Sequence, residues 1–133
     1  ANDVHTPVLT QLMCVKFMEK YNIDDYIEKN RKLYGEKCRL MLDTMEKCFP
    51  KGKVAWTVPD GGIFLWCTCP GIEDITPVMN ACLEEKVAIV PGSNFETNMK
   101  LPSNKFRLNY SSETPERIKA GVERLGKVLC EKL

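Results

Sequence analysis

The stretch VAWTVPDGGIFLWC, residues 54–67, decides the fold class. In residues 54–58 valine and tryptophan alternate with alanine and threonine, which predicts a strand with one buried face. Pro59-Asp60-Gly61-Gly62 predicts a turn, because proline and glycine supply the backbone angles that tight turns need. Residues 63–67 are continuously apolar and predict a strand that is covered on both faces. Together the two segments predict a β-hairpin.

Thr-Pro pairs predict the starts of three helices. A threonine side chain can cap the free N–H groups of a helix, and proline suits the first helical position because it lacks an N–H group. The pairs are Thr6-Pro7, Thr76-Pro77 and Thr114-Pro115, and they predict helices over residues 7–20, 77–86 and 115–131.

A longer helix is predicted over residues 24–49, where apolar residues recur at helical spacing around an interrupting Gly35. Residues 87–90 and 105–111 read as strands, and residues 93–104 as a loop. The order is α-α-β-β-α-β-β-α, with a hairpin at the start of the sheet. It predicts an α+β (mixed α/β) fold, in which helices pack on a small, largely antiparallel sheet within a single domain of residues 1–133.

The first predicted helix is apolar around its whole circumference. Its apolar residues include Val8, Leu9, Leu12, Met13, Val15, Phe17 and Met18. A helix of this kind needs cover on nearly every side. The sequence alone leaves two explanations open: a second domain or subunit that covers the helix, or a fully buried central helix.

Composition excludes several classes of partner. Nineteen basic and eighteen acidic residues give a net charge of +1, which favours neither nucleic acid nor an anionic membrane as a partner. Seven cysteines, an odd number, predict reduced thiols and a cytoplasmic location instead of a disulfide framework. No metal site is expected, because the close pair Cys67-Thr68-Cys69 and the lone His5 do not give a zinc-binding spacing.

Arg107 is a candidate binding residue in the middle of a predicted strand. Strand alternation places Phe106, Leu108 and Tyr110 on one face and Arg107 on the other. The planar guanidinium group matches a carboxylate with two parallel hydrogen bonds. On the residue pattern alone, the simpler interpretation is a charge on a solvated strand face.

Two loops are candidates for the rim of a site. Gly61-Gly62 permits close backbone approach, and Val90-Pro91-Gly92-Ser93-Asn94-Phe95 ends a strand in a loop that carries an aromatic residue. A plain hairpin turn and a plain connection explain the same residues. No nucleophile arrangement and no nucleotide-binding glycine motif stand out.

Four segments in order resemble a known family. These are the start of the chain from Asn2 to Gln11, Pro59-x-Gly61-Gly62-x-Phe64-x-Trp66, Val90-Pro91-Gly92-x-x-Phe95 and Phe106-Arg107-Leu108-Asn109-Tyr110-Ser111, followed by a closing amphipathic helix. They resemble the C-terminal (small) domain of class I/II aminotransferases, which are fold-type-I pyridoxal-phosphate enzymes. The subgroup with 2-aminoadipate and kynurenine aminotransferases is the most similar.

The resemblance implies roles for particular residues. It implies that Arg107 binds the α-carboxylate of an amino-acid substrate, and that Gly61, Gly62 and Phe95 lie around the mouth of the active site. It makes residues 1–22 an interdomain helix segment. It also implies pyridoxal 5'-phosphate as cofactor, amino acids and 2-oxo acids as substrates, a large domain as partner, and a homodimer.

The catalytic part of the family pattern is missing from these residues. The lysine that binds the cofactor, the aspartate that pairs with its pyridine nitrogen, and the phosphate cradle belong to a region before this one in the family. The resemblance therefore implies no catalytic residue in the chain, and a chain that by itself neither holds the cofactor nor catalyses. Three alternatives stay open: the same domain in a lyase or decarboxylase, in a transcriptional regulator, or as a free-standing binding module.

Overall fold

Four short strands form one antiparallel sheet. In the computed structural model, which describes residues 5–133, their order across the sheet is β1-β2-β4-β3. The strands are β1 Ala55–Trp56, β2 Phe64–Thr68, β3 Val90–Pro91 and β4 Lys105–Asn109. Each neighbouring pair is antiparallel, and β1 with β2 forms the predicted hairpin. The predicted small antiparallel sheet is confirmed.

Four α-helices accompany the sheet in the predicted order. They are α1 Val8–Lys20, α2 Ile23–Cys48, α3 Thr76–Glu84 and α4 Pro115–Lys132, with a short 3-10 helix, Gly92–Phe95, between β3 and β4. The mixed α/β class is therefore confirmed. Residues Asn2, Asp3 and Val4, which carry part of the family resemblance, lie outside the described residues.

The chain divides into two compact units, and the boundary between them falls within the sequence of α2. One unit extends to Leu33 and the other runs from Tyr34 to the last residue. The sheet, α3, α4 and the second part of α2 belong to the later unit. Its core is formed by apolar side chains of these helices together with the inner face of the sheet, which carries Leu65, Cys67, Phe106 and Leu108.

Helix capping follows the Thr-Pro prediction only in α4. There Thr114 Oγ1 accepts a hydrogen bond from the backbone N–H of Arg117 at 3.4 Å. Thr6 does not cap α1, because the residue at the cap position is Pro7, which has no side-chain acceptor. In α3, Thr76 is the first helical residue instead of the cap, since Asp74 takes over the acceptor role: its Oδ1 accepts from the Thr76 N–H at 2.9 Å and from the Thr76 hydroxyl at 2.7 Å. These bonds also lower the pKa of Asp74.

Several predicted strands are shorter than the apolar pattern suggested. Pairing stops where no neighbouring strand continues, so β1 has two residues. The strand predicted over residues 87–90 is displaced as well as short, since β3 is Val90–Pro91. The strand predicted to reach residue 111 ends at Asn109, whose Oδ1 accepts bonds from the backbone N–H groups of Ser111 and Ser112 and turns the chain. The loop predicted over residues 93–104 begins with the 3-10 helix.

The prediction that both faces of β2 are covered is wrong. Leu65 and Cys67 are fully buried, whereas Phe64 is 39% exposed and Trp66 is half-buried. The buried core includes side chains of α2, α3 and α4 and the inner face of the sheet, while the outer face contributes no residue to it. An apolar run in a strand does not distinguish full cover from aromatic residues that line an open face.

The apolar character of α1 is matched by exposure. None of its residues is buried, and Leu9 and Met13 are 71% and 63% exposed. Within this unit, Phe17 contacts Tyr21 and Tyr26, with ring centroids 5.0 and 6.0 Å apart. Residues Val8–Lys20 thus do not form a fully buried helix. No helix in residues 5–133 combines the length and apolar character required to cross a membrane.

Three of the cysteines belong to the core. Cys67, Cys69 and Cys82 are buried, and burial raises the pKa of these thiols to about 12, 11 and 11, respectively. A thiol with such a pKa is protonated at neutral pH and behaves as a small apolar side chain. These three residues therefore contribute to packing.

Helix α4 approaches the end of α2 closely at Gly126. A Cβ atom at this position would lie 2.6 Å from the carbonyl oxygen and 2.8 Å from the Cβ of Cys48. At Gly121, earlier in the same helix, an added Cβ atom would have no neighbouring atom within 4 Å. The two glycines thus differ in their surroundings but not in their helical context.

We expect Gly126→Ala to lower the free energy of unfolding by about 1–3 kcal/mol, because the methyl group meets the Cys48 backbone. Gly121→Ala is the matched control. It should raise the free energy of unfolding by up to about 1 kcal/mol, since alanine favours the helix over glycine. Urea-induced unfolding followed by circular dichroism measures both values. Equal effects of the two substitutions would contradict the close packing at Gly126.

Candidate functional site

Arg107 occupies the centre of the sheet on its outer face. In β4 it pairs with Trp66 of β2 on one side and with Val90 of β3 on the other. Its neighbours along the strand, Phe106 and Leu108, are buried on the inner face, as the alternation predicted. The guanidinium group thus projects from a strand that is held on both edges.

Two aromatic rings lie beside the guanidinium group. Its central carbon lies 3.9 Å from the ring centroid of Phe64 and 4.8 Å from that of Phe95. Trp66 contacts Phe95 edge to face, with ring centroids 5.4 Å apart and an interplanar angle of 75°. These four residues, Phe64, Trp66, Phe95 and Arg107, form what we call the arginine cluster.

The 3-10 helix brings Phe95 to Arg107. Pro91 pairs with Phe106, so the helix starts beside β4. Gly92 is buried, and a Cβ atom there would lie 2.5 Å from Ser103 Oγ and 2.8 Å from Lys105 Cβ. A close approach of this kind requires glycine, and it fixes the loop against the strand that carries Arg107.

The guanidinium group has no anionic partner among residues 5–133. The four ion pairs in this part of the chain lie at the surface and do not include Arg107. Arg107 is half-buried. A half-buried cation on an open sheet face, with its hydrogen-bond donors unused, is suited to a carboxylate that comes from outside the chain's own described residues.

The structure joins two of the four predicted site residues. Phe95 contacts Arg107, whereas Gly61 and Gly62 lie in the turn that precedes Phe64. Gly62 has a φ of +89°, which favours glycine, and neither glycine would have an atom within 4 Å of an added Cβ. The backbone N–H of Tyr110 donates to the carbonyl oxygen of Ile63 at 3.2 Å and ties this turn to β4.

Sequence reasoning missed Phe64 and Trp66 as members of the site. Their spacing in β2 placed both on one face of the strand, which was the available signal. The continuous apolar run hid this signal, and the pairing of β2 with β4, which puts Trp66 opposite Arg107, is a long-range contact.

A separate groove of about 760 Å³ lies elsewhere on the unit that runs from Tyr34 to the last residue. Residues of α4, the end of β4 and the segment around Lys86 line it, and neither Arg107 nor Phe95 is among them. The groove and the arginine cluster are thus different features of the surface.

The described residues do not fit the covalent site of pyridoxal phosphate. Every lysine among them is exposed or half-buried, and Lys37 donates to the carbonyl oxygen of Ser111 at 2.7 Å. Such lysines lack the desolvated surroundings of a reactive amine. Within residues 5–133, no three His, Cys, Asp or Glu side chains come together as a metal site. His5 is exposed.

Known proteins with similar sequences include aminotransferases. The chain is 36% identical to the 2-aminoadipate transaminase of Thermus thermophilus over 127 residues, which are 96% of this chain and 31% of the relative. It is 34% identical to an uncharacterized aminotransferase of Saccharolobus solfataricus, over 98% of this chain and 32% of the relative. The chain thus spans about a third of the length of these curated relatives.

Solved structures of similar proteins share the fold. The α-aminoadipate aminotransferase of Thermus thermophilus, complexed with N-(5'-phosphopyridoxyl)-L-leucine, matches with a TM-score of 0.82 and 36% identity, over 97% of this chain and 32% of that one. The kynurenine aminotransferase of Pyrococcus horikoshii matches with a TM-score of 0.80 and 32% identity, over 89% and 29%. The family model "Aminotransferase class I and II" matches residues 1–125. With the fold, the motifs and these relatives in agreement, the chain belongs to the class I and II aminotransferase family.

Proposed function

We propose that this chain is the C-terminal, substrate-binding domain of a pyridoxal-phosphate-dependent aminotransferase that moves an amino group between an amino acid and a 2-oxo acid. In this proposal residues 1–133 form the small domain, and residues 1–22 form a helix segment that leads into it from a large domain. The 31–32% share of the curated relatives that the chain spans supports a longer parent protein.

Arg107 carries the proposal. It is a half-buried cation without an anionic partner in residues 5–133, and two aromatic rings lie within 5 Å of its guanidinium carbon. Amino acids and 2-oxo acids share an α-carboxylate, so one arginine serves both substrates. The guanidinium fork donates two parallel hydrogen bonds to that carboxylate and so fixes the orientation of the substrate.

The surroundings of Arg107 strengthen this interaction. Phe64 and Phe95 keep water from part of the guanidinium group, and an ion pair gains energy as the local dielectric constant falls. Gly61, Gly62 and Phe95 form the mouth of the site in this proposal. The contact between Phe95 and Arg107 supports this role for Phe95, and the absence of any atom near an added Cβ supports it for the two glycines.

The cofactor would be bound by residues outside this chain, since its described lysines do not fit the covalent site. Two relatives were solved with a phosphopyridoxyl-leucine compound and with PMP, which supports this choice of cofactor. The chain alone would then be inactive. The exposed apolar residues of α1 support cover by the large domain or by the second subunit of a homodimer. A cytoplasmic location agrees with the reduced cysteines.

A transcriptional regulator is the second candidate, and one relative favours it. The chain is 27% identical to an HTH-type transcriptional regulator of Staphylococcus aureus, over 92% of this chain and 27% of the relative. The sequence before Ala1 in the source genome distinguishes the two. We expect a large domain with a cofactor-binding lysine there. A basic helix-turn-helix at the start of the parent would favour the regulator, and a native protein of this chain's own mass would favour a free-standing binding module.

For the parent enzyme we expect Arg107→Ala to lower kcat/KM for amino donors, because a desolvated charge pair is lost. The loss of transition-state stabilisation should be about 2–5 kcal/mol. The kcat/KM of Arg107→Lys should lie between the values of the wild type and Arg107→Ala, since lysine keeps the charge but lacks the planar guanidinium fork. The matched control is Arg31→Ala, which removes an arginine that is paired with Glu28 at the surface. Steady-state kinetics with 2-aminoadipate and kynurenine measure these values. Wild-type kinetics for Arg107→Ala would remove this residue from the site.

The isolated chain should not bind pyridoxal phosphate at a specific lysine. We expect no stoichiometric adduct at one position after incubation with the cofactor and reduction with borohydride, because no described lysine is desolvated. Peptide mass spectrometry locates any adduct. A full adduct at a single lysine would show that this chain contains a covalent cofactor site of its own.

A further inference from the structure

We infer that Phe95 is a positioning residue, which holds the guanidinium group of Arg107 in the orientation that receives a carboxylate. This inference rests on the proposed function of Arg107. It assigns the 3-10 helix, Gly92–Phe95, the task of setting the geometry of the binding arginine, beyond a place at the rim of the site.

Arg107 obtains little orientation from polar contacts. In residues 5–133 its guanidinium group takes part in none of the four ion pairs. An arginine side chain has several rotatable bonds and loses rotamer entropy when it is fixed in one conformation. Before substrate binds, the contacts with the rings of Phe64 and Phe95 therefore decide which conformations the side chain occupies.

The two rings differ in how they are held. Phe64 belongs to β2 and pairs with Asn109 in the regular ladder, so strand pairing fixes its position. Phe95 is 49% exposed and does not belong to the core. Its burial alone does not explain its position, whereas its contacts with Arg107 at 4.8 Å and with Trp66 at 5.4 Å do.

The backbone that carries Phe95 is fixed independently of the ring. A Cβ atom added at Gly92 would lie 3.1 Å from the Lys105 carbonyl oxygen, and the Glu96 N–H donates to the Ser93 carbonyl oxygen at 3.2 Å. Lys105 and Arg107 lie on the same strand, so β4 holds both the loop and the residue that carries the guanidinium group. A smaller side chain at position 95 would thus free the guanidinium group without moving the loop.

An aromatic ring beside a cation changes an equilibrium constant by about 2- to 30-fold, depending on how far the cation is desolvated. For the parent enzyme we expect Phe95→Leu to lower kcat/KM for 2-aminoadipate by about 3- to 30-fold, mainly through KM. Phe95→Tyr should restore the value to within about 2-fold, since it keeps the ring. The matched control is Met99→Ala, which truncates an exposed apolar side chain further along the same loop and should leave kcat/KM unchanged.

The double variant separates positioning from direct contact with substrate. In the Arg107→Ala background, Phe95→Leu should cost less than about 2-fold, because the group that Phe95 positions is absent. An equal loss in the presence and absence of Arg107 would overturn the inference, since Phe95 would then act on the substrate itself.

A readout without cofactor or turnover tests the contact directly. In nitrogen-15 spectra of this chain, the Arg107 Nε–H signal, assigned by its loss in Arg107→Ala, should be shifted upfield by the rings. Phe95→Leu should move this signal downfield, and Met99→Ala should not. A signal that stays in place in Phe95→Leu would overturn the inference.

The outcomes keep the two proposals apart. Wild-type kinetics for Arg107→Ala would overturn the proposed function together with this inference. A severe loss for Arg107→Ala combined with wild-type kinetics for Phe95→Leu would overturn only the positioning role of Phe95.

Discussion

The pairing of β2 with β4 is the contact on which the rest of the structure depends. Its register places Leu65 opposite Leu108 and Trp66 opposite Arg107. Because side chains alternate between the faces of a sheet, one register builds the core on the inner face and the arginine cluster on the outer face. A shift by one residue would exchange the two sets, so the buried leucines also fix the position of the arginine.

Cover on one side of the sheet gives the outer face its chemical character. The core draws on α2, α3, α4 and the inner face, and the tight contact of Gly126 with Cys48 shows how closely α4 and α2 approach. On the outer face, β2 contributes the aromatic rings of Phe64 and Trp66, and β4 contributes the cation of Arg107. Such a surface partly desolvates the guanidinium group and leaves its hydrogen-bond donors to an incoming anion.

The exposed apolar residues of α1 and the open outer face of the sheet both suggest that the chain is part of a larger protein. In the proposed function, the residues of α1 would pack against the rest of a larger protein, and the outer face would bind the substrate. The family comparison agrees, since the chain corresponds to about a third of each curated relative. In the proposed parent, the small domain provides the group that grips the substrate, and other residues provide the cofactor.

The sequence by itself determined the element order, the antiparallel sheet and the faces of β4, because periodicity and turn residues are local signals. Its motifs also sufficed for the family resemblance. The role of Arg107 in binding a carboxylate was implied only by the family resemblance. Only the tertiary structure decided that Phe64 and Trp66 share a site with Arg107, that Asp74 displaces Thr76 as the acceptor at the start of α3, and that β1 and β3 are two residues long. Strand register, pairing length and competition between neighbouring acceptors depend on which segments meet in space, and no local pattern records that.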